Sequence, residues 1–505
     1  MNDDGSVGGA DSFDSEGAGL EAVDNVGGLE AEFDELLEDC FETHPAYLEV
    51  LDMRGFLVLG RKGTGKTAMC KQLTSGRDPE ILAKSFTLQD YPWRHDNLQD
   101  GLKIPENMRY TSAWKYFLLL RAAELVVENE SCRRWDALSS GSIKSLKEFI
   151  ADAYGSKKPK FSKLFNSGRK AWKAKGVNAG PNMLHLAGER EEVYIPPHIQ
   201  EVNRLIEGQV LSSMDPDIQY LLCFDQLDEG FSVADPRYMA MLAGLIRASR
   251  ELFAASKQAG LKFSPVIFLR DDIYDSLTFD RKNQITENSS IRLRWNSLPP
   301  NDGNNLKELV ERRFTSVLNA DAQDVLWEDI FDSGELQDDE SSPSSVFNEI
   351  CESTLMRPRD VIKFLNDMLA HLRTQDHMHG TYFDNDCLDS ARESYSRYLL
   401  EETKDEIAGD RSIPNQIWRV LEDVGSEQFG FDRFEEVYLG YWSSGDSGPI
   451  DVLENLFEHS VLGFLENING QLSAVWRHSE PDAKFKRSAT TFRVHRGFRE
   501  SLGLC

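Results

Sequence analysis

The stretch GFLVLGRKGTGKT, residues 55–67, constrains this chain more than any other part of it. Phe56, Leu57, Val58 and Leu59 form a continuous apolar run, the pattern of a strand buried on both faces of a parallel sheet. Gly60, Arg61, Lys62, Gly63, Thr64, Gly65, Lys66 and Thr67 then fit G-x-x-x-x-G-K-[ST] without a gap. Glycines let the backbone turn tightly and aim its N–H groups at one point. The helix expected from about Gly65 to Leu73, with Ala68 in its first turn, directs its positive end to the same place. Lys66 is then placed to bridge β- and γ-phosphates, and the Thr67 hydroxyl to hold Mg²⁺. A chain this long shows the bare pattern by chance about once in fifty, and the flanking strand and helix lower that further. The sequence predicts a phosphate cradle, and so nucleotide binding.

A length of 505 residues leaves room for two to four domains. Acids outnumber bases 85 to 56, giving a net charge of -29, which disfavours wholesale coating of nucleic acid and favours solubility. The seven cysteines (40, 70, 132, 223, 351, 387 and 505) are scattered without a C-x-x-C pair. That argues against a disulfide scaffold or a zinc site and suits a reducing compartment. No apolar run approaches 18 residues, and the N-terminus is acidic rather than signal-like. The expectation is a soluble, cytoplasmic protein without a membrane contact.

Residues 1–27 are Gly, Ser and acid with few apolar side chains, the composition of a disordered tail. From Gly28 to about Pro300 strand and helix patterns alternate, with strands expected at Phe56–Leu59, Lys84–Leu88, Tyr220–Phe224, Pro265–Leu269 and Ile291–Leu293. Five strands with the glycine loop on the first suit a parallel nucleotide-binding sheet. Residues 301–408 read as helical, and 409–505 as a further domain of helices and short strands.

The second chemical signal is YLLCFDQLDEGF, an apolar strand ending in acids. Asp225 sits where a carboxylate holds the Mg²⁺ shell. Glu229, supported by Asp228, is the candidate to orient or deprotonate the attacking water. The alternative is a charged strand end capping the next helix. Arg270 closes the strand SPVIFLR, at the carboxyl end where ligands of parallel sheets sit. It either contacts the γ-phosphate or pairs structurally with Asp271 or Asp272. Arg281 and Arg250 are arginine-finger candidates on position alone.

These residues carry a resemblance. FDQLDE resembles the Walker B motif of STAND signalling ATPases, and Arg270 after VIFL is similar to the sensor arginine of their NB-ARC branch. RLRW (Arg292–Trp295), LKELVERRF and MRPRDVIKFL (Met356–Leu365) resemble the lid of prokaryotic STAND and origin-recognition-like ATPases of the AAA+-related group. Pro358 and Arg359 match a lid motif that approaches the nucleotide, with Arg357 where glycine is usual. FDRFEEVYLGYW, PIDVLENLFEHSVLGFL and GQLSAVWRH…TTFRVHRGFRESLGL read as helix, helix, and β-wing with a closing helix. VHRGFRESLG is similar to the family's Met-His-Asp motif, with His495 at the position of a histidine that contacts ADP; Val494 and Arg496 depart from it. The alternative is a histidine that only packs under the wing.

The resemblance implies an α/β P-loop NTPase of the additional-strand catalytic-glutamate class, followed by an all-α lid and a winged-helix domain. It implies ATP and ADP with Mg²⁺ as ligands, slow hydrolysis, and a nucleotide-gated conformational and oligomerisation switch. Self-association when ATP-bound and a separately encoded effector or partner protein would follow. A DNA-associated AAA+-like ATPase of the origin-recognition or loader type is the alternative. For that reading there is a basic island within residues 141–180. Lys or Arg occupies 144, 147, 157, 158, 160, 163, 169, 170, 173 and 175, interleaved with Phe149, Tyr154, Phe161, Phe165 and Trp172. A solvated insertion explains the same run of charge.

Overall fold

A computed structural model describes residues 19–90, 106–129, 137–154, 199–229, 235–295, 306–318, 324–331, 343–374, 382–407, 413–414, 416–442, 448–468, 471–480 and 482–504. The chain divides into two compact units. One is Thr43–Arg294; the other joins Met1–Glu42 to Trp295–Cys505.

In the first unit, helix α1 (Pro45–Leu51) opens with proline at its first position and His44 as its cap. The His44 Nδ1 accepts the Ala46 N–H at 3.0 Å, so its Nε2 carries the proton and donates to the Arg294 carbonyl at 2.7 Å. The start and the end of the unit are thereby pinned together. Strand β1 (Leu57–Leu59) leads through the glycine loop into α2 (Lys66–Thr74) and then β2 (Ile81–Phe86). Helices α3 (Glu106–Asn129), α4 (Ala137–Tyr154) and α5 (Ile199–Leu211) separate β2 from β3 (Gln219–Phe224). Helix α6 (Pro236–Gln258), β4 (Lys262–Leu269), α7 (Asp271–Ser276), α8 (Lys282–Ser289) and β5 (Ser290–Arg292) complete it.

The five strands form one parallel sheet in the order β2-β3-β4-β1-β5. Alternation within the apolar runs covers both faces. Leu57, Leu59, Tyr220, Leu222, Phe224 and Ile267 pack with α3, α5 and α6, whereas Val58, Leu221, Cys223, Val266 and Phe268 pack with α1 and α2. At the α3–α6 crossing a Cβ on Gly244 would stand 2.6 Å from the Tyr110 Cβ, so glycine sets how closely these helices approach.

All five expected strands form. The second begins at Ile81 and pairs through Phe86 with β3, instead of running Lys84–Leu88, because Leu88 starts a 3-10 turn. A five-stranded parallel sheet with its glycine loop fits an α/β P-loop NTPase core followed by a helical C-terminal region.

The second unit holds α9 (Leu306–Val317), α10 (Pro343–Ser353), α11 (Pro358–Leu372), α12 (Asn385–Ile407), α13 (Ile417–Val424), α14 (Phe431–Tyr441) and α15 (Pro449–Glu458). Strands β6 (Gln428–Gly430), β7 (Leu462–Ile468), β8 (Gln471–Val475) and β9 (Thr491–Val494) form an antiparallel sheet in the order β6-β9-β7-β8. The DVLENLFEHSVLGFL stretch is therefore not helical throughout. The helix stops at Glu458, Ser460 takes a left-handed φ of 58°, and Leu462 begins β7.

A second correction concerns the N-terminal segment. Gly19–Gly27, expected to be disordered, is ordered, and residues 28–42, assigned from sequence to the ATPase core, lie in the second unit. Leu20, Val23 and Val26 are buried in the helical core of that unit, three residues apart along the chain. Val26 N–H donates to Asn366 Oδ1 at 2.9 Å, and Asn366 Nδ2 returns a bond to Gly27 O at 3.0 Å. Arg313 pairs with Asp34 at 2.7 Å, both side chains 4% exposed, and donates to Val26 O at 2.8 Å. Residues 1–18 lie outside the described residues.

Candidate functional site

The cradle follows directly from β1. Gly60 ends the strand where a Cβ would meet Thr64 Oγ1 at 2.7 Å and Leu293 O at 3.2 Å, so the loop closes only around glycine. Gly63 and Gly65 take φ of 86° and 95°, the left-handed region that glycine enters without strain. Thr64 is buried, and its hydroxyl donates to Arg61 O at 2.9 Å, holding the loop's curvature. Lys62 is half-buried in the same loop, and Ala68 lies in the first turn of α2.

Lys66 Nζ donates to Gly60 O at 2.9 Å and Arg61 O at 2.8 Å, folding back over the loop. Burial pulls its pKa below that of an ordinary lysine, against the opposing pull of Asp225, Asp228 and Asp271, with Arg270 adding to the fall. Asp225 directly follows β3 as a buried residue, and the Thr67 hydroxyl hydrogen-bonds it. Burial raises its pKa, while the Thr67 bond and the Lys66 charge act the other way. Thr67 and Asp225, read separately from sequence as metal ligands, are thus in direct contact.

The turn after β3 is built for the acids. Gln226 takes a left-handed φ of 53°, and the Tyr238 hydroxyl on α6 donates to Leu227 O at 3.1 Å. Asp228 turns toward Arg270, whose Nη1 lies 3.6 Å from its Oδ2. Glu229 is exposed, at the edge of the described residues. Arg270 is held in a two-pronged pair with Asp272, Nε to Oδ1 at 3.0 Å and Nη2 to Oδ2 at 2.6 Å. This is the structural ion pair that the sequence left open as the alternative to phosphate contact. Arg61 reaches Asp271 with Nε 3.9 Å from Oδ1. Sequence reasoning missed that Asp271 and Asp272 serve different arginines; the consecutive acids after VIFLR were the available signal.

The arginine-finger candidates sit apart from this cluster along the chain. Arg281 is exposed, with a left-handed φ of 65° at the start of α8, and Arg250 Nη2 lies 3.5 Å from Gln284 Oε1. Of the basic island, Lys144 and Lys147 lie on α4, whose Ile143, Leu146 and Ile150 are buried while Lys144 faces solvent. Residues 155–175 of the island fall outside the described residues. Among the described residues no cluster of His, Cys, Asp and Glu suits a metal on its own, and no helix is long and apolar enough to cross a membrane.

Pro358, Arg359 and His495 belong to the second unit. Pro358 is buried at the first position of α11, and Arg359 Nε donates to Leu29 O at 3.1 Å with Nη1 3.8 Å from Glu402. Arg357, which replaces the usual glycine, bonds Asp360 at 2.5 Å; burial opposes its charge, but Asp360, Tyr395 and Glu406 together outweigh it and raise its pKa. His495 is buried among Trp476, His478 and Phe498, and its Nδ1 accepts the Gly497 N–H at 3.1 Å. Burial, then the charges of Arg499, Arg357 and Arg496, push its pKa down to about 3. It is therefore neutral at any physiological pH.

Residues 304–404 match the family described as FunZ-associated C-terminal helical domain, which spans α9 to most of α12. The match covers about a fifth of the chain. No curated protein matches. Among solved structures the chain is similar to Cdc6p from Pyrobaculum aerophilum, at 11% identity and a TM-score of 0.26, over 90% of both chains. At that score the likeness carries no argument about function.

Proposed function

We propose that this protein binds ATP with Mg²⁺, hydrolyses it slowly, and acts as a nucleotide-gated conformational and oligomerisation switch. One observation carries the reading: a glycine loop of the right geometry ends β1 while, across the sheet order, β3 delivers Asp225 into contact with Thr67. A metal ion at that point would be held by the Thr67 hydroxyl and the Asp225 carboxylate, and would neutralise charge developing on the terminal phosphate. Lys66, released from the Gly60 and Arg61 carbonyls, would bind phosphate oxygens, its lowered pKa restored by the anion. Asp228 and the exposed Glu229 stand beyond the strand end, Glu229 as the group to orient or accept a proton from water.

The switch reading assigns the helical segment to a lid and residues 409–505 to a winged helix, to which helices α13 to α15 and the β6-β9-β7-β8 sheet lend support. Pro358, Arg359 and His495 would sense the nucleotide in one of its states. Such a device needs each ligand to favour one state by its contacts. The reading needs a neutral imidazole at His495, and burial there holds its pKa far below the ordinary histidine range. Self-association with ATP and a separate effector protein are part of the same proposal, as is a cytoplasmic location.

The test is ATP hydrolysis and binding by the whole chain with and without Mg²⁺, with light scattering in ADP and ATP on a Glu229→Gln variant. A larger species with ATP alone supports the switch. Identical mass in both nucleotides, with hydrolysis intact, removes the oligomerisation part and leaves an ATPase.

A further inference from the structure

The glycine loop contains a second cation besides Lys66. The Arg61 side chain is 11% exposed, so its guanidinium is largely stripped of water, and its Nη1 has no hydrogen-bond partner. Its nearest counter-charge is Asp271, at 3.9 Å from Nε, beyond hydrogen-bond reach. Asp271 Oδ1 already accepts the Asp272 N–H at 3.0 Å. A desolvated donor without an acceptor is costly, and persists where something else supplies the acceptor. Here that position is inside the phosphate loop, beside a carboxylate whose field also reaches Lys66. Arg270, by contrast, has both prongs occupied by Asp272.

We infer that the Arg61 side chain is a direct ligand for a phosphate oxygen of the bound nucleotide, with Asp271 as its positioning residue. This rests on the nucleotide-binding reading above. The loop's backbone cradle needs no particular side chain at this position, so the role belongs to the guanidinium. Arginine suits it because a planar, weakly hydrated cation loses less on burial than an ammonium and offers oriented donors to an anion.

The experiment titrates the full-length protein with fluorescent mant-ADP and mant-ATP in Mg²⁺, comparing wild type with Arg61→Ala, Arg61→Lys, Asp271→Asn and Lys66→Ala. Melting temperatures without nucleotide are measured in parallel. Arg61→Ala is expected to weaken binding tenfold or more with an unchanged nucleotide-free melting temperature. Arg61→Lys should recover only part of the loss, and Asp271→Asn should lose severalfold by letting the guanidinium drift. If Arg61→Ala binds like wild type, the assignment is overturned. It is equally overturned if melting falls and affinity does not, since that marks a brace within the loop. Should Arg61→Ala not fold, the Arg61→Lys titration decides alone, and wild-type affinity there overturns the role. A wild type that binds neither nucleotide overturns the nucleotide reading itself, and is told apart because the baseline, not the variant, is lost.

Discussion

At the scale of single residues, the cradle is a set of charges that nearly cancel. Lys66, Arg61 and Arg270 are answered by Asp225, Asp228, Asp271 and Asp272, with Asp271 3.9 Å from Arg61 and Asp272 bonded to Arg270. A triphosphate entering such a cluster without a divalent ion meets more negative than positive charge. Removing Mg²⁺ with a chelator is therefore expected to weaken nucleotide affinity by tenfold or more, read by the same mant-nucleotide titration; equal affinity with and without the metal contradicts this electrostatic account. Gly60→Ala places a methyl 2.7 Å from Thr64 Oγ1, so it should destabilise the loop by about 1–3 kcal/mol and abolish binding together, measured by thermal melting and titration. His495 gives a pH prediction. Its folded pKa of about 3 lies below the unfolded 6.5, so the unfolded chain binds more protons between those values. Its stabilising contribution is complete above pH 6.5 and is lost as pH falls toward 3, a loss of order a few kcal/mol. Melting temperature followed from pH 7.5 to 4.5 should drop less steeply in His495→Asn, whose Oδ1 replaces the Nδ1 acceptor without gaining a proton.

At the scale of elements, legibility tracked how local the signal was. The glycine loop, β3 with the acids that follow it, and helices α9 and α12 are each declared by contiguous residues, and they form where the pattern puts them. The turn at Ser460 was hidden because HSVLGFL continues the apolar character of α15, and only a left-handed residue splits helix from strand. Arg270 was undecided because its partner, Asp272, is two residues away and competes with any ligand. The docking of Leu20, Val23 and Val26 was hidden for a different reason. Three apolar residues among glycines and acids look too few to fold, and become sufficient only against a surface supplied by α9 and α11. The Arg313–Asp34 pair belongs to that surface. Arg313→Ala leaves Asp34 buried and unpaired and should cost about 3–5 kcal/mol, whereas the doubly apolar replacement Arg313→Met with Asp34→Leu should recover much of it. Urea denaturation of the full chain checks both, and a single variant as stable as wild type would show the pair to be idle.

At the scale of the whole molecule, the core Thr43–Arg294 interrupts the other unit, whose first residues precede it and whose remainder follows. If nucleotide gates assembly, Lys66→Ala should remain the same size in ADP and ATP while wild type grows in ATP, and sedimentation velocity in the two nucleotides reads that difference directly. The interruption also imposes an order in time. Val26 is synthesised 340 positions before Asn366, its hydrogen-bond partner. At ribosomal speeds of about 5–20 residues per second, that is a wait of roughly 20–70 s during which Leu20, Val23 and Val26 have nowhere to go. The core is finished before the helices that bury them exist. A segment made this long before the surface that buries it stays open to capture by the same surface of another molecule, the physical route to segment exchange.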